Sequence, residues 1–370
     1  MDQTDISDML NWHSQNKEPA LFGRRIIFDM IVPILKNIPN SFQVEQIGAS
    51  FNRIPIYKVS IGNGKTKVLL WSQMHGNEST GTKAMFDLFQ FFINPIKNTV
   101  LADKILAECT LVFIPLLNPD GAVAYTRKNA QGIDLNRDAI ALESPESKLL
   151  NTVLKEFNPE FCFNLHDQRT IFSVGDNKLP ATISFLAPSV DESRTLTTGR
   201  KITMSVITAM NVTLQQIIPD QIGRYTDEFY PTATGDNFEK AGHHTILLEA
   251  GHYKDDYDRE KVRKYNFLAL VAGLKHISVG IFEEYKPYFD IPNNEKLYLD
   301  IIYKNVFLSD KNQKTDVGVL FKEELVNDKI VFKPTVAYTD DLSNYNANIY
   351  IDKKGKKLKN KEELITMIEN

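Results

Sequence analysis

The sequence is most informative at first for what it has little of. Only two cysteines occur in 370 residues, and each lies in an apolar stretch, AECTLVF around Cys109 and PEFCFNL around Cys162. Two separated thiols in such surroundings exclude a disulfide scaffold and a cysteine-based metal motif, and read as buried core residues. Long apolar runs are also missing. The longest, such as residues 267–272, are far too short to span a bilayer. The opening fifteen residues, MDQTDISDMLNWHSQ, hold neither a basic start nor an apolar core, so the expectation is a cytoplasmic protein with no membrane partner. A formal net charge of −4 carries no excess of basic residues, which argues against a nucleic-acid partner.

What is present is an alternation of strand and helix patterns. Residues 5–37 read as two helices, the second carrying Ile26, Ile27, Met30, Ile31 and Ile34 at helical spacing. Residues 42–47, 54–61, 67–71, 110–115, 161–165, 183–187, 212–217 and 245–248 read as strands. Helices are predicted where Met85, Leu88, Phe89 and Phe92 share a face, over residues 145–157 and 192–210, and from Asp258 onward. Residues 225–241 read as a mixed loop. The pattern predicts an α/β fold with a central mixed sheet flanked by helices. Beyond residue 287 the character changes to short strands at 297–308, 317–321, 329–334 and 346–351, with a last helix at 361–368. The expected organisation is therefore a catalytic domain over 1–285 with N-terminal helices, and a small β-rich domain over 286–370. The lysines between 353 and 361 read as a solvated turn.

The chain is organised around VLLWSQMHGNEST, residues 68–80, where an apolar strand ends at His75-Gly76-Asn77-Glu78 and a helix begins. Ligands in open α/β sheets gather at the carboxyl ends of strands. An imidazole and a carboxylate three residues apart at such an end can converge on one zinc ion, with a third protein ligand from elsewhere and one position left open. Two more strands end in chemistry-bearing residues, at His166 and Glu249. Between Glu78 and His166 lies a long loop, residues 117–138, rich in Asn, Asp, Gly and Arg, and loops of that kind are commonly functional. It carries Arg127, Asp134, Asn136 and Arg137. Hydrolysis of an amide by zinc requires ligands with an open position, a carboxylate to take a proton from zinc-bound water, and cations for the developing oxyanion and a substrate carboxylate.

In order, His75-x-x-Glu78, Asn118-Pro119-Asp120-Gly121, Arg127, Asp134-Leu135-Asn136-Arg137, His166 and Glu249 resemble the zinc carboxypeptidases of the carboxypeptidase A family, over roughly residues 50–280. The resemblance implies one Zn²⁺ per chain on His75, Glu78 and His166, the His₂Glu ligand type of that family. It implies Glu249 as general base and Arg127 as oxyanion stabiliser. Asn136 and Arg137 would grip the substrate's terminal carboxylate, and Asp134 would fix the tautomer of His75. A tyrosine on the loop ahead of the general base is expected, either Tyr225 or Tyr230, with Tyr230 preferred. Asn77 stands where some digestive members carry arginine. Asp236 reads either as a pocket residue favouring a basic terminal group or, with Glu239, as a capping box. His13, His243, His244, His252 and His276 carry no ligand set.

The activity so implied is removal of a C-terminal residue from peptides by Glu-assisted attack of zinc-bound water. The alternative is a zinc deacylase of N-acyl amino acids, similar to the succinylglutamate desuccinylase and aspartoacylase relatives, which share the zinc motif and the Asn-Arg pair and also carry a small β domain after the catalytic one. Both take a substrate with a free carboxylate. A third possibility, a non-catalytic binding protein on a decayed peptidase domain, predicts a lost base or ligand, and every one is present.

Overall fold

The computed structural model describes all residues except 97, 98, 310, 311, 360 and 370. Nine strands precede residue 251: β1 Gln43–Ala49, β2 Pro55–Ile61, β3 Thr66–Trp71, β4 Cys109–Ile114, β5 Phe161–Asp167, β6 Ser173–Val174, β7 Ile183–Leu186, β8 Ile222–Arg224 and β9 His244–Ala250. All but β6 form an eight-stranded sheet in the order β1-β2-β4-β3-β5-β9-β7-β8. The central four, β4, β3, β5 and β9, run parallel, while β2 and β7 flank them antiparallel. This is the mixed α/β sheet predicted from the alternation of patterns.

The helices are α1 Gln3–Asn16, α2 Phe28–Asn37, α3 Thr80–Ile93, α4 Leu101–Glu108, α5 Pro119–Ala124, α6 Pro145–Phe157, α7 Thr198–Gln215, α8 Thr234–Lys240, α9 Glu260–Val279 and α10 Lys361–Glu369. Parallel strands covered on both faces are apolar throughout, and β3 shows this directly, with Val68 through Trp71 fully buried. Val68 and Leu70 meet the core shared with α3, α7 and α9. Leu69 and Trp71 meet the opposite core, built with Leu150 and Val153 of α6 and Phe238 of α8. Cys162 belongs to that second core, and alternation along β5 puts His166 on the same face. Among the described residues, no helix is long and apolar enough to cross a membrane.

Three expectations are corrected. Residues 212–215 continue α7 instead of forming a strand: Met204, Ile207, Met210 and Leu214 are all buried at helical spacing, so packing outweighs the β-branched character of Val212 and Thr213. The expected loop 225–241 contains α8, whose N-cap is Ala233; Asp236 lies inside the helix, so the capping box does not exist. The second helix starts at Phe28 with Ile27 as its N-cap, so Ile26 and Ile27 of the expected helical face precede it.

Past residue 290 come β10 Asn294–Glu295, β11 Tyr298–Leu308, β12 Gln313–Val326, β13 Lys329–Asp340, β14 Asn346–Asp352 and β15 Lys357–Leu358. Strands β11 to β15 form a five-stranded sheet of their own, with cores around Val306, Val317 and Val319 on one side and around Leu299 and Ile302 on the other. Strand β10 instead pairs with β6. The β12–β13 hairpin runs much further than the short strands expected there, with paired residues from Asp316↔Asp340 to Val326↔Lys329. The sheet is joined to the rest of the chain by polar contacts: Arg24 with Glu323 at 2.8 Å, His252 with Asn348, and Tyr257 with Asp300 at 2.7 Å.

Candidate metal centre and substrate cleft

The turn after β3 is held from three sides. Gln73, in the left-handed region at φ 47, donates from its side chain to the Gly76 carbonyl at 2.9 Å and to the Ile26 carbonyl at 3.0 Å. Gly76 has no room for a side chain, because a Cβ there would sit 1.9 Å from the Gly121 carbonyl carbon. That neighbour explains the Asn-Pro-Asp-Gly sequence. Asn118 caps α5 by accepting from the Gly121 amide at 2.8 Å, and donates to the Met74 carbonyl at 3.2 Å. Asp120 ties the same loop to Ser50 at 2.8 Å.

This turn brings His75 and Glu78 against His166 at the end of β5. The Glu78 carboxylate lies 2.9 Å from His75 Nδ1 and 2.8 Å from His166 Nδ1. One ligand atom from each of the three residues lies within 4.8 Å of the others, and all three residues are buried. The Asp167 amide donates to Glu78 at 3.1 Å, and His75 Nε2 faces Asp134 at 3.1 Å. With Nε2 donating to that carboxylate, the lone pair on Nδ1 is directed to the centre of the cluster.

The donor set fits a zinc ion on its own chemistry. The two Nδ1 atoms stand 3.1 Å apart, both beside one carboxylate. A proton can serve one such contact, whereas a divalent cation satisfies all three donors and leaves a coordination position open. Burial opposes ionisation of Glu78, but the two imidazoles outweigh it and hold its carboxyl well below the usual range.

Glu249 is the register partner of His166 on β9, so both side chains project from the same face of neighbouring strands. Burial first, and then the negative charge of Glu78, push its carboxyl up to about 8. Such a group takes and returns protons near neutral pH. Arg127 is 46% exposed along its side chain and binds Asp134 at 2.9 Å and Glu78 at 3.4 Å, which puts a cation at the mouth of the cluster.

Asn136 and Arg137 form a short 3₁₀ turn after Asp134, whose side chain accepts from the Asn136 amide. Asn136 Oδ1 accepts from the Thr234 amide at the start of α8. The Arg137 guanidinium stacks over the Tyr230 ring at 5.1 Å. Asp236 accepts from the Tyr230 amide at 3.1 Å, so this carboxylate fastens the tyrosine loop. Burial pushes Asp236 up to about 6. The two tyrosines part company here. Tyr230 is exposed beside Arg137, whereas Tyr225 is raised above its ordinary pKa, by burial and then by the charges of Glu249 and Glu78. Sequence reasoning missed Asp167, which follows His166 directly and holds Glu78 through its amide. Adjacency to a strand-end histidine was the available signal.

A model of the zinc carboxypeptidase family matches residues 27–166, the stretch holding all three candidate ligands but not Glu249. Carboxypeptidase SOL1 of Arabidopsis thaliana is 28% identical over 136 residues, covering 32% of this chain and 28% of that protein. The chain thus spans about a quarter of that curated relative's length. The fold matches a metallo-carboxypeptidase from Burkholderia cenocepacia with a TM-score of 0.57 at 18% identity, over 70% of each chain. It matches carboxypeptidase A from Helicoverpa armigera with a TM-score of 0.57 at 16% identity, over 76% of this chain and 81% of that one. Residues 27–166 therefore resemble the zinc carboxypeptidase family in sequence, and the mixed sheet built around them has the fold of solved metallocarboxypeptidases.

Proposed function

We propose that the protein is a zinc-dependent carboxypeptidase that hydrolyses the C-terminal peptide bond of peptides. The observation that carries this reading is the convergence of His75, Glu78 and His166 on one point, with Glu249 in register beside His166. The names of the curated relatives, which are carboxypeptidases, support it.

His75, Glu78 and His166 would hold the ion. When bound, zinc supplies a Lewis acid that polarises the scissile carbonyl and acidifies water. Arg137, with its planar fork, binds the substrate's terminal carboxylate, and the Tyr230 ring beneath it limits its rotamers. Glu249 accepts the proton of the attacking water and delivers it to the departing amine nitrogen, so that water adds across the C–N bond and the carboxylate is regenerated. Arg127 faces the oxygen on which negative charge develops, in a position held by Asp134. Asp134 also keeps His75 in one tautomer.

Mass spectrometry of a mixed pool of free-acid peptides, their C-terminal amides and N-acyl amino acids, incubated with zinc-loaded protein, tests the reading. Loss of single C-terminal residues from the free acids, with the amides surviving, is the expected outcome. Cleavage of the acyl amino acids alone would replace this assignment with the deacylase one.

A further inference from the structure

The C-terminal sheet reaches the metal centre through one carboxylate. Glu323 of β12 accepts from Arg24 Nη2 at 2.8 and 3.0 Å, and the Tyr125 hydroxyl donates to the same group. Arg24 lies along the zinc turn. Its carbonyl accepts from the Ser79 hydroxyl at 2.6 Å, next to Glu78, and two residues on, the Ile26 carbonyl accepts from Gln73. Tyr125 precedes Arg127 by two residues. Glu323 thus clamps, from outside, two segments that border the site.

The charges form a closed set. Arg24 and Arg259 are both buried, at 7% and 4% exposure. Arg259 pairs with Asp167 at 3.3 Å and donates to the carbonyls of Ala250 and Gln168, one residue past Glu249 and two past His166. Asp167 in turn accepts from Thr80 at 2.7 Å and gives its amide to Glu78. Two guanidinium groups therefore face two carboxylates, Asp167 from the peptidase sheet and Glu323 from the appended one. Without Glu323, two buried cations would compete for Asp167, and the amide that Asp167 directs at Glu78 would move with it.

We infer that Glu323 is a positioning residue of the metal centre, by which the C-terminal sheet balances Arg24 and keeps Asp167, Glu78 and the Arg127 loop in place. This rests on the zinc-hydrolase reading above, and zinc affinity serves as a readout independent of turnover. In the full-length protein, Glu323→Gln is expected to weaken zinc binding about tenfold in competition with a chelator, and to lower kcat with KM changed less than about twofold, because Arg137 lies outside the cluster. Tyr125→Phe, which leaves the Arg24 pair intact, is a milder variant expected to shift both quantities in the same direction and serves if Glu323→Gln fails to fold. Glu324→Gln, on the next residue and paired with Lys322 and Lys333, should match wild type. The double variant Arg24→Met with Glu323→Leu removes both charges and should recover zinc affinity relative to Glu323→Gln. Wild-type zinc affinity and kcat in Glu323→Gln would overturn the inference, as would a double variant no better than the single one. A wild-type protein that binds zinc but cleaves neither peptides nor acyl amino acids sinks the hydrolase reading, and the affinity measurements still decide this one. Failure of the wild type to bind zinc at all overturns both.

Discussion

Two buried clusters of histidine, carboxylate and cation border helix α3, one built on its Lys83 and Asp87 and the other at the turn before it, and they are built to opposite ends. In the first, Asp87 accepts from His13 at 2.8 Å, Arg263 Nε at 2.7 Å and the Glu18 amide at 2.9 Å, while Glu260 binds Lys83 at 2.7 Å and Lys17 at 2.8 Å. Every negative group there faces a cation. In the second, His75, Glu78 and His166 aim their donor atoms inward at one another, His166 Nε2 has no hydrogen-bond partner among the described residues, and burial, then the charge of Glu78, push the Glu249 carboxyl up to about 8. The same residue types make a self-neutralising anchor in one place and an incomplete coordination set in the other. What separates structure from site here is whether the donor atoms are each paired off or converge on one point.

The largest effect that sharpens this contrast is on turnover. Glu249→Gln should lower kcat by ~10²–10⁴-fold while zinc stoichiometry, read by metal analysis, stays at wild type, because the base is removed and the ligands are spared. His166→Ala should instead fail to hold stoichiometric zinc. Equal turnover in Glu249→Gln would remove that residue from the chemistry. The anchor should behave in the opposite way. Asp87→Ala removes the nearer of the two carboxylates that face the buried Arg263 guanidinium, leaving only Glu260 at 3.2 Å among the described residues, and should cost about 3–5 kcal/mol in denaturant unfolding, with zinc uptake by the folded fraction unchanged. A loss of zinc there, at full folding, would mean that the two clusters are coupled through α3.

The comparison also has a pH form. Burial opposes ionisation of Asp87, but His13 and Arg263 prevail and lower its pKa. Its contribution is therefore present above the unfolded value of 3.8 and is lost as pH falls below it. Glu239, buried beneath α7, is the opposite case. Dehydration outweighs its bonds to the Thr245 amide and Thr203 hydroxyl and pushes it up to about 7. The native state then holds a proton that the unfolded state releases from 4.5 upward, so stability falls between pH 4.5 and about 7. Both hydrogen bonds end on Oε2, and a glutamine oxygen can accept both. Glu239→Gln should accordingly stabilise the protein at pH 8 by up to about 3 kcal/mol and have little effect at pH 4. A flat difference across that range would show that Glu239 is ionised in the native protein.

How much of this was legible in the sequence follows from the range of the interactions involved. His75, His166 and Glu249 stood out because each ends an apolar run, and parallel strands deliver such ends to one edge of a sheet. The Asn118 loop could be recognised as a motif, but its purpose, a backbone pressed against Gly76, needed coordinates. Helix α7 was cut short because Val212 and Thr213 look like strand residues in isolation, and only the core formed with α9 shows the helix continuing. Helix α8 was hidden by Gly235 and by a start that lacks a side-chain cap. Least legible was the pairing of Arg24 with Glu323 across 299 residues, since a single long-range ion pair leaves no periodic trace.

The smallest predicted effect concerns Arg137, a cation of the cleft held by an aromatic face. Among the described residues the Arg137 guanidinium donates only to its neighbour's carbonyl, Asn136 O, at 2.7 Å, and otherwise rests on the Tyr230 ring. An exposed stack of this kind contributes ~0.5–1 kcal/mol, so Tyr230→Ala should raise KM for free-acid peptides about two- to fivefold with kcat nearly unchanged. Tyr230→Phe keeps the ring and should leave both constants at wild type. A fall in kcat for Tyr230→Phe would instead assign its hydroxyl to the reacting atoms. If that fall belongs to Tyr225→Phe, the tyrosine that feels the charge of Glu249 is the one that meets the substrate, and Tyr230 serves only to aim a guanidinium that is left free for a ligand.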